Sequence, residues 1–342
     1  MKTQAGSILI TTLWIMAILA LLAMGIGFRA GLEVRLSRYY LDDLKARYIA
    51  NAGAVKAKDY LLKHDTAEDY DTLYECGISL EIDQTPESIF GAQFNKIGDG
   101  SFSVSYVISG GEQTVTRYGM MDEDRKFNLN FNNIPLPDKR NEYRRILTLL
   151  SPSISQEIIS AMLDWQDADD AVSIPGGAES IYYSEQIEHP YECKNADIEL
   201  NEEILLIKGV TPQLYEEIKR YITVYTSGKI NINTASQKVL NAILNNQNQE
   251  YPFIADKIVD YRRGPDDVEG TADDRPIRSL SDIPSDRLEP AESARLTSMA
   301  DYFVYKSEVF NIRSTGKIGR IEKIIINIIN KADENIVYYH EG

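Results

Sequence analysis

Residues 1–31 read MKTQAGSILITTLWIMAILALLAMGIGFRAG: one lysine, a Gly6–Ser7 junction, then residues 7–28 without a single ionisable side chain. Crossing the hydrocarbon core as a helix takes about 20 apolar residues, whereas the apolar stretch of a cleaved secretory signal is usually about 7–15. The length of the run therefore predicts a span that stays on the protein. Leu, Ile, Ala and Met surround every face of it, as suits a helix in lipid rather than one with a solvent side. Beyond it, residues 31–63 contain no proline. There Leu41, Leu44, Tyr48, Ala52 and Val55 recur at steps of three and four, with Asp42, Asp43, Lys45, Arg47, Asn51 and Lys56 between them, which predicts an amphipathic helix continuing the hydrophobic one. At 1.5 Å per residue, residues 7–63 form a rod of roughly 85 Å, weakened at Gly25, Gly27, Gly31 and Gly53. Lys2 precedes the span and Arg29, Arg35 and Arg38 follow it, so the positive-inside rule taken alone leaves the body in the cytoplasm.

The chain has 342 residues, 43% hydrophobic and 26% charged, the composition of a folded body large enough for more than one core. Lys and Arg number 36 against 52 Asp and Glu, a net charge of -16. Such a surface repels phosphate backbones and favours divalent cations. Cys76 and Cys193 are the only cysteines. They fit one bridge in an oxidising compartment or two separate thiols, and they exclude a zinc site or a disulfide framework.

Residues 101–108, SFSVSYVI, alternate apolar and polar side chains, and a Gly110–Gly111 turn leads into EQTVTRYGMM, which predicts an antiparallel hairpin. EVFNIRSTGKI, IEKIIINIIN and NIVYYHEG near the C-terminus read as three more strands. Between them the period becomes helical: EYRRILTLL, SQEIISAMLDWQD, NEEILLI, TPQLYEEIKRYITVY, SQKVLNAILNN and PFIADKIVDYRRG. The expected fold is α+β, a long N-terminal helix and an antiparallel sheet interrupted by a large α-helical insertion.

A short basic leader ending in Gly6, a span beginning at once and an amphipathic continuation together resemble the type IV pilin and pseudopilin class. DEDRKFNLNF, ISAMLDWQDADD, GGAESIYYSE, IKGVTPQLYEEIKRYITVYTSGKININTAS and the final strands stand in the order expected of K-type minor pseudopilins of type II secretion, the general secretion pathway protein K family. The resemblance implies a prepilin leader at 1–6 cut by prepilin peptidase between Gly6 and Ser7, with methylation of the new terminus. It implies a transmembrane helix at 7–30, pseudopilin helix and first strands at 31–121, the insertion at 122–299 and closing strands at 300–342. The family carries Glu at the fifth mature position, where this chain has Thr11. A carboxylate in an apolar filament core is costly unless a cation meets it, and its absence fits a subunit at the filament tip. Implied too are inner-membrane anchoring with the body in the periplasm and contacts with other minor pseudopilins of the I and J types.

Two acidic clusters stand out. DWQDADDAVSIPGGAES holds Asp164, Asp167, Asp169, Asp170 and Glu179; four aspartates in seven residues repel one another unless solvated or met by a hard cation that takes six to eight oxygens. It is not an EF-hand, because Val172 stands where the loop glycine belongs and Ala178 where the bidentate glutamate belongs. Trp165 and the Pro175–Gly176–Gly177 turn instead suggest a loop folded back on the aspartates. GPDDVEGTADDR supplies Asp266, Asp267, Glu269, Asp273 and Asp274 around Gly270, a loop around an ion or a solvated linker. Calcium, one ion or two, is the expected cofactor, and the resemblance favours it.

LLIKGVTPQLYEEI places Gly209 before a helix that Thr211 can cap and Pro212 can open. INTASQKVLNAIL offers Asn233 or Thr234 as a second cap. These segments resemble helix-hairpin-helix modules, which turn backbone N–H groups onto DNA phosphate. Thr211 replaces the second glycine of that hairpin and the chain is acidic, so packing is the expected role, with Lys208, Lys219 and Arg220 as surface charges; a membrane-tethered DNA-binding protein is the alternative. No catalysis is expected, since His64, His189 and His340 are far apart and no serine or cysteine has an evident base beside it.

Overall fold

The computed structural model describes residues 5–63, 69–78, 80, 83–110, 113–185 and 189–342. The first four leader residues, His64 and Gly111 of the expected hairpin turn lie outside these. Helix α1 (Ala5–Lys63) is unbroken over 59 residues, and from Ile8 it is long and apolar enough to cross a membrane. Every residue from 8 to 41 is exposed. Further along, Ala46, Ile49, Ala50, Ala54, Ala57 and Leu61 bury one face. This corrects the expected stripe: Leu41, Leu44, Tyr48 and Val55 point away from the core. The reason is the closeness of the packing. A Cβ at Gly316 would collide with Ala46 O and Ala50 N, and one at Gly53 with Ser314 Oγ, so where β9 crosses α1 most closely the helix offers alanine and glycine, and Leu41, Leu44, Tyr48 and Val55 stay outside.

After α1 come α2 (Pro86–Phe90) and the strands β1 (Lys96–Ile97), β2 (Gly100–Gly110), β3 (Gln113–Tyr118) and β4 (Met121–Asp122). Then β5 (Phe127–Asn128), α3 (Lys139–Leu150), α4 (Gln156–Asp164), α5 (Ser180–Ser184), α6 (Pro212–Ile218), β6 (Ile222–Thr223), β7 (Ile230–Asn231), α7 (Gln237–Leu244), α8 (Ile254–Arg262), α9 (Pro290–Ser298) and β8 (Phe303–Val304) make the insertion. β9 (Val309–Ile318), β10 (Ile321–Asn330) and β11 (Ile336–Glu341) close the chain. The main sheet runs β1-β2-β9-β10-β11, with β3 added to β2 and β4 to β9. β2 lies antiparallel to β9 with Phe102 opposite Gly316 and Val104 opposite Ser314, so the strands flanking the insertion close on each other. β9 alternates buried and partly exposed residues along its length, the period-two pattern read from its sequence.

The insertion has a core of its own, from Phe127 to Phe303, around Tyr143, Ile146, Leu147, Leu240, Ile243 and Ile258. Some of its elements depart from expectation. Residues 201–206 form a 3-10 helix. The segment expected to be helical from Thr211 to Tyr225 stops at Ile218, and Ile222–Thr223 pair in parallel with Phe127–Asn128; the run 221–225 is rich in aromatic and β-branched residues, which favour the pleated backbone once a partner strand is present. α7 is capped by Ser236, whose Oγ accepts from Val239 N, and not by Asn233 or Thr234. α9, absent from the sequence reading, begins at a Glu289 capping box with Pro290 as its first residue. The chain re-enters the main sheet at Val309, later than residue 300, because Phe303–Val304 pair with Ile230–Asn231 inside the insertion.

Candidate metal centre in the insertion

α4 positions the first acidic cluster. Ser155 caps its start, and its last residue, Asp164, is fully buried. Both Asp164 oxygens lie 3.1 Å from Ser173 N, which folds the loop 165–179 back over the helix end. Gly177 has no Cβ that could meet Asp164 Oδ2, so the backbone passes directly against the carboxylate. Trp165 walls the loop from below, edge-on to Tyr183 and Tyr191, and donates from Nε1 to Glu203 at 2.9 Å. Lys208 Nζ clips the far side by donating to Gly176 O and Gly177 O at 3.0 and 3.2 Å.

Inside this fold, one carboxylate oxygen each from Asp167, Asp169 and Glu179 lie within 4.8 Å of one another. Asp167 and Glu179 are buried and Asp169 is exposed. Arg140 holds Asp167 Oδ2 at 2.8 Å, but Asp167 Oδ1 and both Glu179 oxygens have no hydrogen-bond partner. Burial, with Asp164, Asp167, Asp170 and Asp169 nearby, pushes the Glu179 carboxyl up to about 7. Burial also raises Asp167, against the pull of Arg140. Buried anionic oxygens without donors are costly, and a hard cation satisfies several at once. The donor set fits calcium: three converging carboxylates, Asp164 beside them and open solvent at Asp169 for water ligands. Asp170 is exposed and stands outside the converging group.

The second cluster is organised differently. Asp266 Oδ1 accepts from Val268 N at 2.8 Å, Asp273 Oδ1 from Thr271 Oγ1 at 2.7 Å and Asp273 Oδ2 from Asp266 N at 3.0 Å. Asp274 Oδ2 accepts from Gly270 N at 2.9 Å, Glu269 pairs with Arg262 at 2.5 Å, and Asp267 lies 3.6 Å from Arg263. These carboxylates tie the loop to itself and to α8. Asp274 Oδ1 alone is buried without a donor, and among the described residues no three of these carboxylates converge.

The hairpin region carries its basic residues in internal contacts. Gly209 takes φ +83° and Thr211 caps α6 as expected, yet Lys208 is spent on the acidic loop 165–179, lying 4.8 Å over the Tyr182 ring, and Lys219 pairs with Glu216. Cys76 and Cys193 are buried free thiols, directed to Asp122 and to Asp164 O. At the other end of the molecule, Thr11 Oγ1 donates to Ile8 O at 2.8 Å, satisfying its hydroxyl within the helix.

The family model for protein K of the type II secretion system matches residues 125–227, the stretch that contains the first acidic loop and its supports. That stretch is similar to the type II secretion system protein K family. A type II secretion system protein K from Aeromonas hydrophila is 25% identical over 220 residues, 58% of this chain. The match spans 63% of that relative's length. The fold resembles a chain in the crystal structure of the GspK-GspI-GspJ complex from enterotoxigenic Escherichia coli, with a TM-score of 0.59 at 16% identity over 91% of this chain and 99% of that one.

Proposed function

We propose that this protein is a minor pseudopilin at the tip of the type II secretion pseudopilus, anchored in the inner membrane by α1 with its body in the periplasm, and that it supports export across the outer membrane by assembly rather than by turnover. The carrying observation is α1 itself: a 59-residue helix whose first two thirds project bare from a body that carries the protein K match. An apolar rod of this kind is stable only in lipid or against similar helices. Cleavage at Gly6–Ser7 and methylation would leave the whole span on the mature chain. With Thr11 in place of an acid, that span cannot offer a carboxylate to the amino terminus of a subunit above it, and the insertion adds bulk at the end of the body. The solved K–I–J complex supports I- and J-type pseudopilins as neighbours.

One calcium ion is assigned to Asp167, Asp169 and Glu179, with Asp164 and Asp170 at its margin. When bound it would supply positive charge to the buried oxygens and fix the loop; Arg140 and Lys208 hold the loop's two sides. The second loop, Asp266 to Asp274, keeps its shape through its own hydrogen bonds. The DNA-binding alternative draws no support from the engaged lysines of the hairpin or from the net charge of -16. Co-expression with the I- and J-type pseudopilins of the same system tests the reading: affinity purification of this chain is expected to recover both in equal amounts. Recovery of this chain alone, from cells in which the other two are present and folded, would overturn it.

A further inference from the structure

Away from the metal loop, three aspartates meet at the seam where the insertion leaves and rejoins the sheet. Asp71 is 2% exposed, Asp122 0% and Asp124 4%. Asp71 accepts from Gly77 N at 3.2 Å and Ser307 N at 2.8 Å. Asp122 Oδ2 accepts from Ser307 Oγ at 2.8 Å and Thr234 Oγ1 at 2.6 Å, and its Oδ1 faces Cys76 Sγ at 3.6 Å. Asp124 Oδ2 accepts from Glu308 N and Val309 N at 2.8 and 3.0 Å. Asn231 completes the knot, its Nδ2 donating to Ser307 Oγ at 2.8 Å and its backbone N–H to Asp124 O at 2.8 Å. Four segments are thereby joined: the stretch after α1, the end of β4, the β7 loop of the insertion and the strand returning at 307–309.

Among the described residues, the hydrogen bonds to these carboxylates come from backbone N–H, hydroxyl and thiol groups. Arg125 and Lys306 act on the cluster at longer range, Glu308 adds negative charge beside Asp124, and the other ionisable groups facing it are Cys76 and Tyr106. The neighbouring Glu123 is neutralised by Lys126 at 2.7 Å. Three carboxylates buried this close together hold their hydrogen bonds against desolvation and mutual repulsion, a cost that a proton on Asp71 or Asp124 relieves.

We propose that Asp71 and Asp124, joined through Asp122 and its hydroxyl partners, form a clasp that fixes the helical insertion onto the sheet, tightening in mild acid and loosening in mild alkali. Burial raises Asp71 to about 6 and Asp124 to about 7, and the Asp122 charge adds to both shifts. For an acid raised in the folded state, the folded protein binds the proton more tightly than the unfolded chain. Its contribution therefore favours the closed seam at and below pH 6 and is lost as pH rises through 6 to 7. The inference concerns the join between the two parts of the body and holds whatever the protein's partners are.

Hydrogen exchange read by mass spectrometry on the full chain in detergent micelles tests it, at pH 6 and pH 8.5, with saturating calcium in one arm and chelator in the other. After correction for the intrinsic rise with pH, segments 71–77, 230–235 and 305–310 are expected to exchange on the order of tenfold faster at pH 8.5, equally in both arms, while α3 and α7 show no such excess. Asp124→Asn, which keeps an accepting oxygen and cannot ionise, should reduce the excess, and adding Asp71→Asn should abolish it. Equal corrected rates at the two pH values, an excess shared by α3 and α7, or an excess unchanged in the variants would overturn the proposal. Should the variants fail to fold, the unsubstituted chain still decides through its ratio of seam to helix exchange.

Discussion

Glu179 carries the largest electrostatic burden of the first acidic loop. It is buried, both of its oxygens lack a donor, and four aspartates surround it. In the metal-free protein such a carboxyl holds a proton up to about pH 7, so the metal-free fold gains stability as pH falls from 8 towards 6. A calcium ion bound at the proposed site would have to displace that proton, so its affinity would run the other way, rising with pH. Calorimetric titration of the full chain is expected to show calcium binding about tenfold weaker at pH 6 than at pH 7.5. Glu179→Gln should weaken binding at pH 7.5 by at least about tenfold and flatten the pH dependence. Affinity indifferent to both changes would remove Glu179 from the ligand set. Asp164, Asp167, Asp169 and Glu179 could be read from the sequence because they lie within sixteen residues of each other. Arg140 and Lys208 could not: Arg140 stands on α3 and Lys208 in the turn before α6, and only the packing of both against α4 brings them to the loop. Asp71, Asp122 and Asp124 left no signal either, since in so acidic a chain each looks like surface charge.

At the scale of elements, α1 and the sheet depend on backbone-to-backbone approach. Gly316 faces Ala46 and Ala50 with no room for a methyl group, so Gly316→Ala should cost roughly 1–3 kcal/mol, as overpacking does. Thermal unfolding followed by circular dichroism checks this, and an unchanged Tm would contradict the packing described. The strands β2 and β9 were legible from their alternation, and β10 and β11 from their runs of β-branched and aromatic residues. The helices α3, α4, α7 and α8 were legible from their period. What escaped were pieces whose form is set from outside. Ile222 and Thr223 become a strand because Phe127 and Asn128 lie beside them, a pairing across nearly a hundred residues that no local pattern records. Residues 201–206 wind as a 3-10 helix although their composition is ordinarily helical. The face of α1 was misassigned for a related reason: in water the leucines and tyrosines at 41, 44 and 48 would seek the core, whereas this helix packs its alanines inward and leaves the larger side chains bare.

On the scale of the whole molecule, a bare helical rod, a seven-stranded sheet and a helical insertion with its own core succeed one another. Each part suits the proposed place in a filament: the rod can pack on kindred helices, the sheet holds the rod's C-terminal third, and the insertion adds bulk to the body. The insertion interrupts the sheet between β4 and β9, strands that pair with each other, so it adds mass without altering the framework that holds the rod. That arrangement makes the tip position the central claim. Immunogold electron microscopy of sheared pseudopili, with an antibody raised against the insertion, measures it directly. The account predicts gold at one end of each filament and nowhere else, and gold distributed along the sides would contradict it.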